Sequence, residues 1–161
     1  MPQTVIHEEF DYDVSIADIK KYFRTNHTGP YFSMFETGLD NNRFDLIRVN
    51  PYSQHIRIYE FKSCRRDFIS DKKWQNYLEY CHTFTFVCPR DAIKRDDLPR
   101  YVGLMYIYKW RWHHETRLDD TWILEQEWIK RPKKREMEKS MVSRIAFMLI
   151  HRTKWRKEDV F

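Results

Sequence analysis

Asp45, Glu60 and Lys62 are the residues of this 161-residue chain whose types and spacing could do hydrolytic chemistry. Each interrupts a run that otherwise reads as a buried strand: Asp45 within Arg43-Phe44-Asp45-Leu46-Ile47, and Glu60 and Lys62 within Ile56-Arg57-Ile58-Tyr59-Glu60-Phe61-Lys62. Between the runs lies Pro51-Tyr52-Ser53-Gln54, the length of a hairpin loop. Closing that loop pairs Asn50 with His55, and the same register carries Asp45 opposite Glu60. Side chains alternate along a strand, so Lys62 shares their face. Two opposed carboxylates repel, and a fold keeps them in a buried strand pair when a cation lies between. Carboxylate oxygens with a few waters suit a hard ion, Mg2+ or Mn2+. The Lys62 ammonium beside them would orient or deprotonate a water, or offset charge growing on a phosphate. A Lewis acid, an attacking water and local positive charge are the parts that phosphodiester hydrolysis needs. The spacing also fits a plainer arrangement, a solvent-facing sheet edge where Lys62 makes weak ion pairs with Asp45 and Glu60. An ExK tripeptide is common in any case.

The elements around these residues read as one α/β domain, 1–161, with a core at about 15–110 and an additional strand and basic helix in 111–161. Ser15-Ile16-Ala17-Asp18 is a capping box opening a helix to Thr25, with Ile16, Ile19, Tyr22 and Phe23 on one face. Turn formers at 26–30 end it. Strands are expected over 31–37, 43–50 and 55–63. A helix follows over 67–82, its apolar stripe formed by Trp74, Tyr77, Leu78 and Cys81. Residues 83–88 are a buried strand and 90–100 a polar loop. Further strands are expected at 101–110 and 121–129, with the charged stretch 111–120 between them, and a basic helix at 133–155. The order is α-β-β-β-α-β, then two strands and a helix, with no internal repeat.

The segment IYEFKSCRRDFISDKKWQNYLEYCHTFTFVCP, from Ile58 to Pro89, carries more than the ExK. Its ExKS, DF pair, DxKW run, YxxYC and aromatic strand ending in Pro resemble the MmcB-like DNA-repair proteins of bacteria and phages, within the PD-(D/E)XK superfamily. Arg43-Phe44-Asp45 and Leu98–Ile107 are similar to the family's flanking strands, so the resemblance spans about 31–110. Phe44 stands where the superfamily motif has Pro. The resemblance implies a restriction-endonuclease-like fold, a mixed central sheet flanked by helices. It implies that Asp45 and Glu60 ligate the metal and that Lys62 is the catalytic lysine. Glu36 resembles a further acid that binds metal through water, although an exposed strand charge accounts for it equally. Lys73, with Lys72, Arg65 and Arg66 nearby, is placed to reach DNA phosphates. Asp71 matches the DxKW run, and a carboxylate there also favours a helix N-terminus. Trp74 and Tyr77 lie on the apolar stripe and read as core. Many members of the superfamily are dimers, so a homodimer is a possible assembly.

Charge and composition narrow the function classes. Formal charge is +5. Within 130–157 the only acids among many Lys and Arg are Glu136 and Glu138, a patch that attracts polyanions or simply solvates a helix face. No apolar run is long enough to cross a membrane, and the start MPQTVIHEEF is unlike a signal peptide, so a cytoplasmic protein is expected. Cys64, Cys81 and Cys88 contain no CxxC pair. Cys81 and Cys88 fit apolar positions better than a zinc site with His82. Walker, GxSxG and HExxH motifs are absent. The expectation is a metal-dependent DNA phosphodiesterase acting in repair, recombination or phage DNA processing. The alternative is a non-catalytic DNA-binding or adaptor protein on the same fold.

Overall fold

The computed structural model describes residues 6–26, 29–114 and 121–153. Among the described residues, seven strands form one open, mixed sheet: β1 (Ile6–Asp11), β2 (Phe32–Leu39), β3 (Asn42–Val49), β4 (Ile56–Phe61), β5 (Thr83–Pro89), β6 (Gly103–His114) and β7 (Ile123–Lys130). The order is β1-β6-β5-β4-β3-β2, with β7 on the other side of β6. β4, β5 and β6 run parallel, and the remaining pairs are antiparallel. The helices are α1 (Ile16–Thr25), α2 (Arg65–Ser70) and α3 (Lys139–Thr153).

A core lies on each face of the sheet. On one, Ile19, Tyr22 and Phe23 of α1 meet Leu46, Tyr59, Phe61, Val87 and Met105. The capping box forms as expected, with Asp18 N–H donating to Ser15 Oγ at 3.1 Å and Ser15 N–H donating to Asp18 Oδ2 at 2.9 Å. Arg48, 8% exposed, fastens α1 to β3 by donating to Phe23 O at 3.0 Å and Ser33 Oγ at 2.9 Å. The other core gathers Phe44, Ile47, Ile58, Trp74, Tyr77, Tyr80, Phe84 and Phe86 under Ile145 and Leu149 of α3. Trp74 and Tyr77 are buried, as their place on the stripe predicts.

Four expectations need correction. The helix expected over 67–82 is two pieces, α2 and a 3-10 helix at Trp74–Tyr80. Asp71 is extended between them, and its Oδ1 accepts from Lys73 N–H at 2.8 Å and Trp74 N–H at 3.2 Å, which starts the chain afresh. The C-terminal helix begins at Lys139, not Lys133. Residues 131–138 are irregular because Lys133 N–H donates to Tyr101 O at 3.0 Å and Arg135 N–H to His82 O at 2.8 Å. Its expected end, Trp155, lies outside the described residues. β6 continues through Arg111 to His114 because β1, an acid-rich strand not expected from the sequence, pairs with that half. The remainder of the charged stretch, 115–120, lies outside the described residues. The loop 90–100 contains a short 3-10 turn at Arg95–Asp97.

Candidate metal and phosphate site

The hairpin register is the one the four-residue loop dictates. Asn50 N–H donates to His55 O at 3.0 Å, and Val49, Arg48, Ile47 and Leu46 pair with Ile56, Arg57, Ile58 and Tyr59. One step further, Asp45 reaches across the ladder, its Oδ2 accepting from Phe61 N–H at 2.7 Å. In β4, Ile56 and Ile58 face one core while Tyr59 and Phe61 face the other. Alternation therefore turns Glu60 and Lys62 toward the 3-10 helix that carries Tyr77.

Asp45 sits where the strand pair turns over. Phe44 and Leu46, two residues apart in one strand, pack into opposite cores. In β2, Phe35 pairs with Leu46 and Thr37 with Phe44, leaving Glu36 and Asp45 sharing the row between. Glu36 takes a left-handed backbone, φ 49°, which a β-carbon makes costly. The twist re-aims both acids. Glu36 points out to Lys20 of α1 at 3.1 Å and to Arg43 at 3.4 Å, which hold its carboxyl below the usual range. It lies beside Asp45 in the sheet but is spoken for by cations.

Glu60 is the buried member, 7% exposed, and Lys62 is 5% exposed. Lys62 Nζ donates to Glu60 Oε1 at 3.1 Å and lies 2.7 Å from Asp71 Oδ2. Glu60 Oε2 is buried with no hydrogen-bond partner, an arrangement that proteins rarely leave unfilled. Burial, and then the negative charge of Asp45, push the Glu60 carboxyl up to about 8. Burial pushes Asp45 up as well, against the Phe61 N–H and the charge of Lys62. For Asp71, burial is outweighed by Lys62 and the two backbone N–H donors, leaving the carboxyl below its ordinary value. For Lys62, burial is outweighed by Asp71 and Glu60, so the ammonium is held charged.

These residues fit a small hard cation. No three His, Cys, Asp or Glu side chains among the described residues converge on one point, so the group is a carboxylate pair. A pair is the donor set that Mg2+ commonly takes, since it keeps several of its waters. The orphaned Glu60 Oε2 is a buried oxygen that such an ion would satisfy. The thiols are different. Burial pushes Cys81 and Cys88 up to about 12, and Cys81 Sγ donates to Tyr77 O at 3.6 Å, so both behave as core residues.

The cations expected to meet phosphates divide into two sets. Arg66, Lys72 and Lys73 are exposed around α2 and the start of the 3-10 helix. Arg65 is forked onto Asp97, its Nη2 donating to Oδ1 at 2.9 Å, so its charge is already answered. Sequence reasoning missed the roles of Lys20 and Asp71, which arrive from separate elements, and the proximity of the Tyr77 hydroxyl. That hydroxyl is raised by burial first, and then by the carboxylates of Glu60, Asp71 and Asp45. The one sequence signal was the Asp71-Lys72-Lys73-Trp74 run, which gave no hint that Asp71 turns back to Lys62.

A family model for MmcB-like DNA repair proteins matches residues 31–121, more than half of the chain and all of the strands that carry the site. The chain belongs to the MmcB-like family of DNA repair proteins. The match takes in Asp45, Glu60, Lys62 and Asp71, together with Glu36 and the exposed Arg66, Lys72 and Lys73. Basic residues beyond 121 lie outside it. No curated protein matches this MmcB-like chain. Among solved structures, a protein of unknown function from Silicibacter pomeroyi superposes with a TM-score of 0.61 at 19% identity, covering 86% of this chain and 84% of the other. That likeness concerns the fold. The open mixed sheet flanked by helices is compatible with the PD-(D/E)XK arrangement.

Proposed function

We propose that this MmcB-like chain is a metal-dependent DNA phosphodiesterase, a nuclease of the PD-(D/E)XK type acting in DNA repair, with Asp45 and Glu60 holding Mg2+ or Mn2+ and Lys62 beside them. The observation that carries the reading is Glu60 Oε2, buried and without a partner next to a second carboxylate. A bound divalent ion would supply Lewis acidity and lower the pKa of a water. The chain's own residues do the rest. The Phe61 N–H fixes Asp45 at the end of the β3–β4 ladder, and the ladder fixes Glu60. Lys62, held charged, is suited to orient a water or to offset charge on a phosphate oxygen, and is poorly suited to accept a proton. Arg66, Lys72 and Lys73 form an exposed cationic rim for the backbone on either side of the reacting phosphate.

The 2.7 Å pairing of Lys62 with Asp71 favours a second reading, a DNA-binding protein that keeps the fold without turnover, because that pair satisfies the lysine with no reaction at all. Asp45→Ala separates the two. Under the first reading it abolishes Mg2+-dependent cleavage, a loss of about 100-fold or more, while salt-dependent DNA binding stays within about twofold. A wild type that binds DNA and cuts no substrate, single-stranded, double-stranded or branched, supports the second.

A further inference from the structure

We infer that Asp71 is a positioning residue that keeps the Lys62 ammonium off the oxygens that Asp45 and Glu60 turn toward a divalent cation; the inference rests on the metal-dependent reading above. Three side chains are nearly sealed from solvent here, with side-chain exposures of 7% for Lys62, 9% for Glu60 and 12% for Asp71. In such a pocket a lone ammonium seeks every carboxylate within reach, since unpaired buried charge is costly. Lys62 contacts both, Asp71 Oδ2 at 2.7 Å and Glu60 Oε1 at 3.1 Å, and the shorter contact is to Asp71. Glu60 Oε2 is left without a donor. Asp71 can hold the ammonium because its other oxygen is pinned by Lys73 N–H and Trp74 N–H, so the carboxylate cannot swing away. The break in the expected helix thus has a purpose at the site. It brings an acid from a separate element to the far side of the lysine. Without that acid, the flexible lysine stem lets the ammonium settle on Glu60 and Asp45, where it competes with a dication for the same oxygens.

Asp71→Asn tests this, because asparagine caps as well as aspartate and preserves an acceptor for Lys73 and Trp74. It removes only the charge facing Lys62. Mn2+ is titrated calorimetrically into wild type, Asp71→Asn, Lys62→Met and the double variant, with a thermal melt of each. Mn2+ affinity is expected to fall about tenfold from wild type to Asp71→Asn, and to change less than twofold between Lys62→Met and the double variant, the coupling expected of groups in contact. Equal loss in both backgrounds overturns the inference, because Asp71 would then act on the ion or the fold directly. No loss in either shows a cap and nothing more, and equally overturns it. Asp71→Ser, a second capping residue, replaces the asparagine variant if that one fails to fold. A wild type that takes up no Mn2+ sinks the metal reading and this inference together, whereas a wild type that binds with a flat cycle sinks this inference alone.

Discussion

Burial beside a second carboxylate favours the protonated form of Glu60, and the consequence for stability has a definite sign. Its folded-state carboxyl sits at about 8, raised first by burial and then by Asp45, against about 4.3 in an unfolded chain. The folded state therefore binds the extra proton, so its contribution is full below the unfolded value and is lost as pH rises through the folded one. In the absence of divalent ions, the melting temperature is expected to fall by several degrees between pH 6 and pH 9. Mg2+ should shrink that fall, because a dication replaces the lost proton between the same carboxylates. Glu60→Gln removes the titrating group, so it should flatten the profile and abolish the Mg2+ response together. Melts of both proteins in chelator and in Mg2+ decide the matter. A slope that persists unchanged in the glutamine variant would mean that another group titrates.

At the scale of elements, β5, β6 and the strap of residues 131–138 after β7 meet at Gly103. Gly103 opens β6 opposite Thr85, and a β-carbon there would lie 2.6 Å from Thr85 Oγ1 and 2.8 Å from Pro132 Cδ. Neither neighbour can withdraw easily, since Thr85 is 2% exposed in a central strand and Pro132 belongs to the strap bonded to Tyr101 and His82. Gly103→Ala should therefore cost about 1–3 kcal/mol, as overpacking does, read from urea denaturation. A cost below about 0.5 kcal/mol would show the strap to be free to move aside. This junction was not legible in the sequence, where the strap reads as part of a helix, because its hydrogen bonds go to residues far away along the chain. The same reason hid β1, whose partner lies about a hundred positions on. By contrast, the β3–β4 hairpin and the α1 cap were legible because loop length and capping residues act locally. The register from Leu46–Tyr59 to Val49–Ile56, which carries Asp45 toward Glu60, followed from four loop residues. That Lys62 answers to Asp71, and Glu36 to Lys20, did not, since each contact joins elements whose approach only the folded sheet defines.

Over the whole molecule, much of the basic charge is answered by partners far away along the chain. The acid-rich N-terminal segment folds back on β6, where Glu9 meets Arg111 at 2.7 Å and Asp18 meets Lys109 at 3.3 Å. Much of the later basic run is also tied down. Lys130 donates to Leu98 O at 3.0 Å and Pro99 O at 2.9 Å, Arg131 stacks on Trp128, Arg135 on Tyr101, and Arg144 pairs with Asp40 at 2.7 Å. Lys133 and Lys134 remain exposed on the strap, at the end where β5 and β6 begin, whereas Glu60 and Lys62 stand where the parallel strands end. Glu60 pairs with Phe86, four residues beyond His82, so roughly 13 Å separates it from the strap at about 3.3 Å per residue. A duplex of about four base pairs covers that distance at about 3.4 Å per step. DNA lying along the strands would then touch both ends, and Lys133 and Lys134 would bind it without touching the reacting phosphate. Replacing both with alanine should weaken affinity evenly across sequences and reduce the slope of log affinity against log salt by up to about 2, at about 0.9 per lost contact. The cleavage rate at saturating DNA should not change. Lys72→Ala/Lys73→Ala, beside the carboxylates, provides the contrast, lowering both the slope and that rate. If the strap variant keeps the full slope while the second pair loses it, the DNA is confined to the carboxylate end, and the strap's charge answers to something other than the substrate.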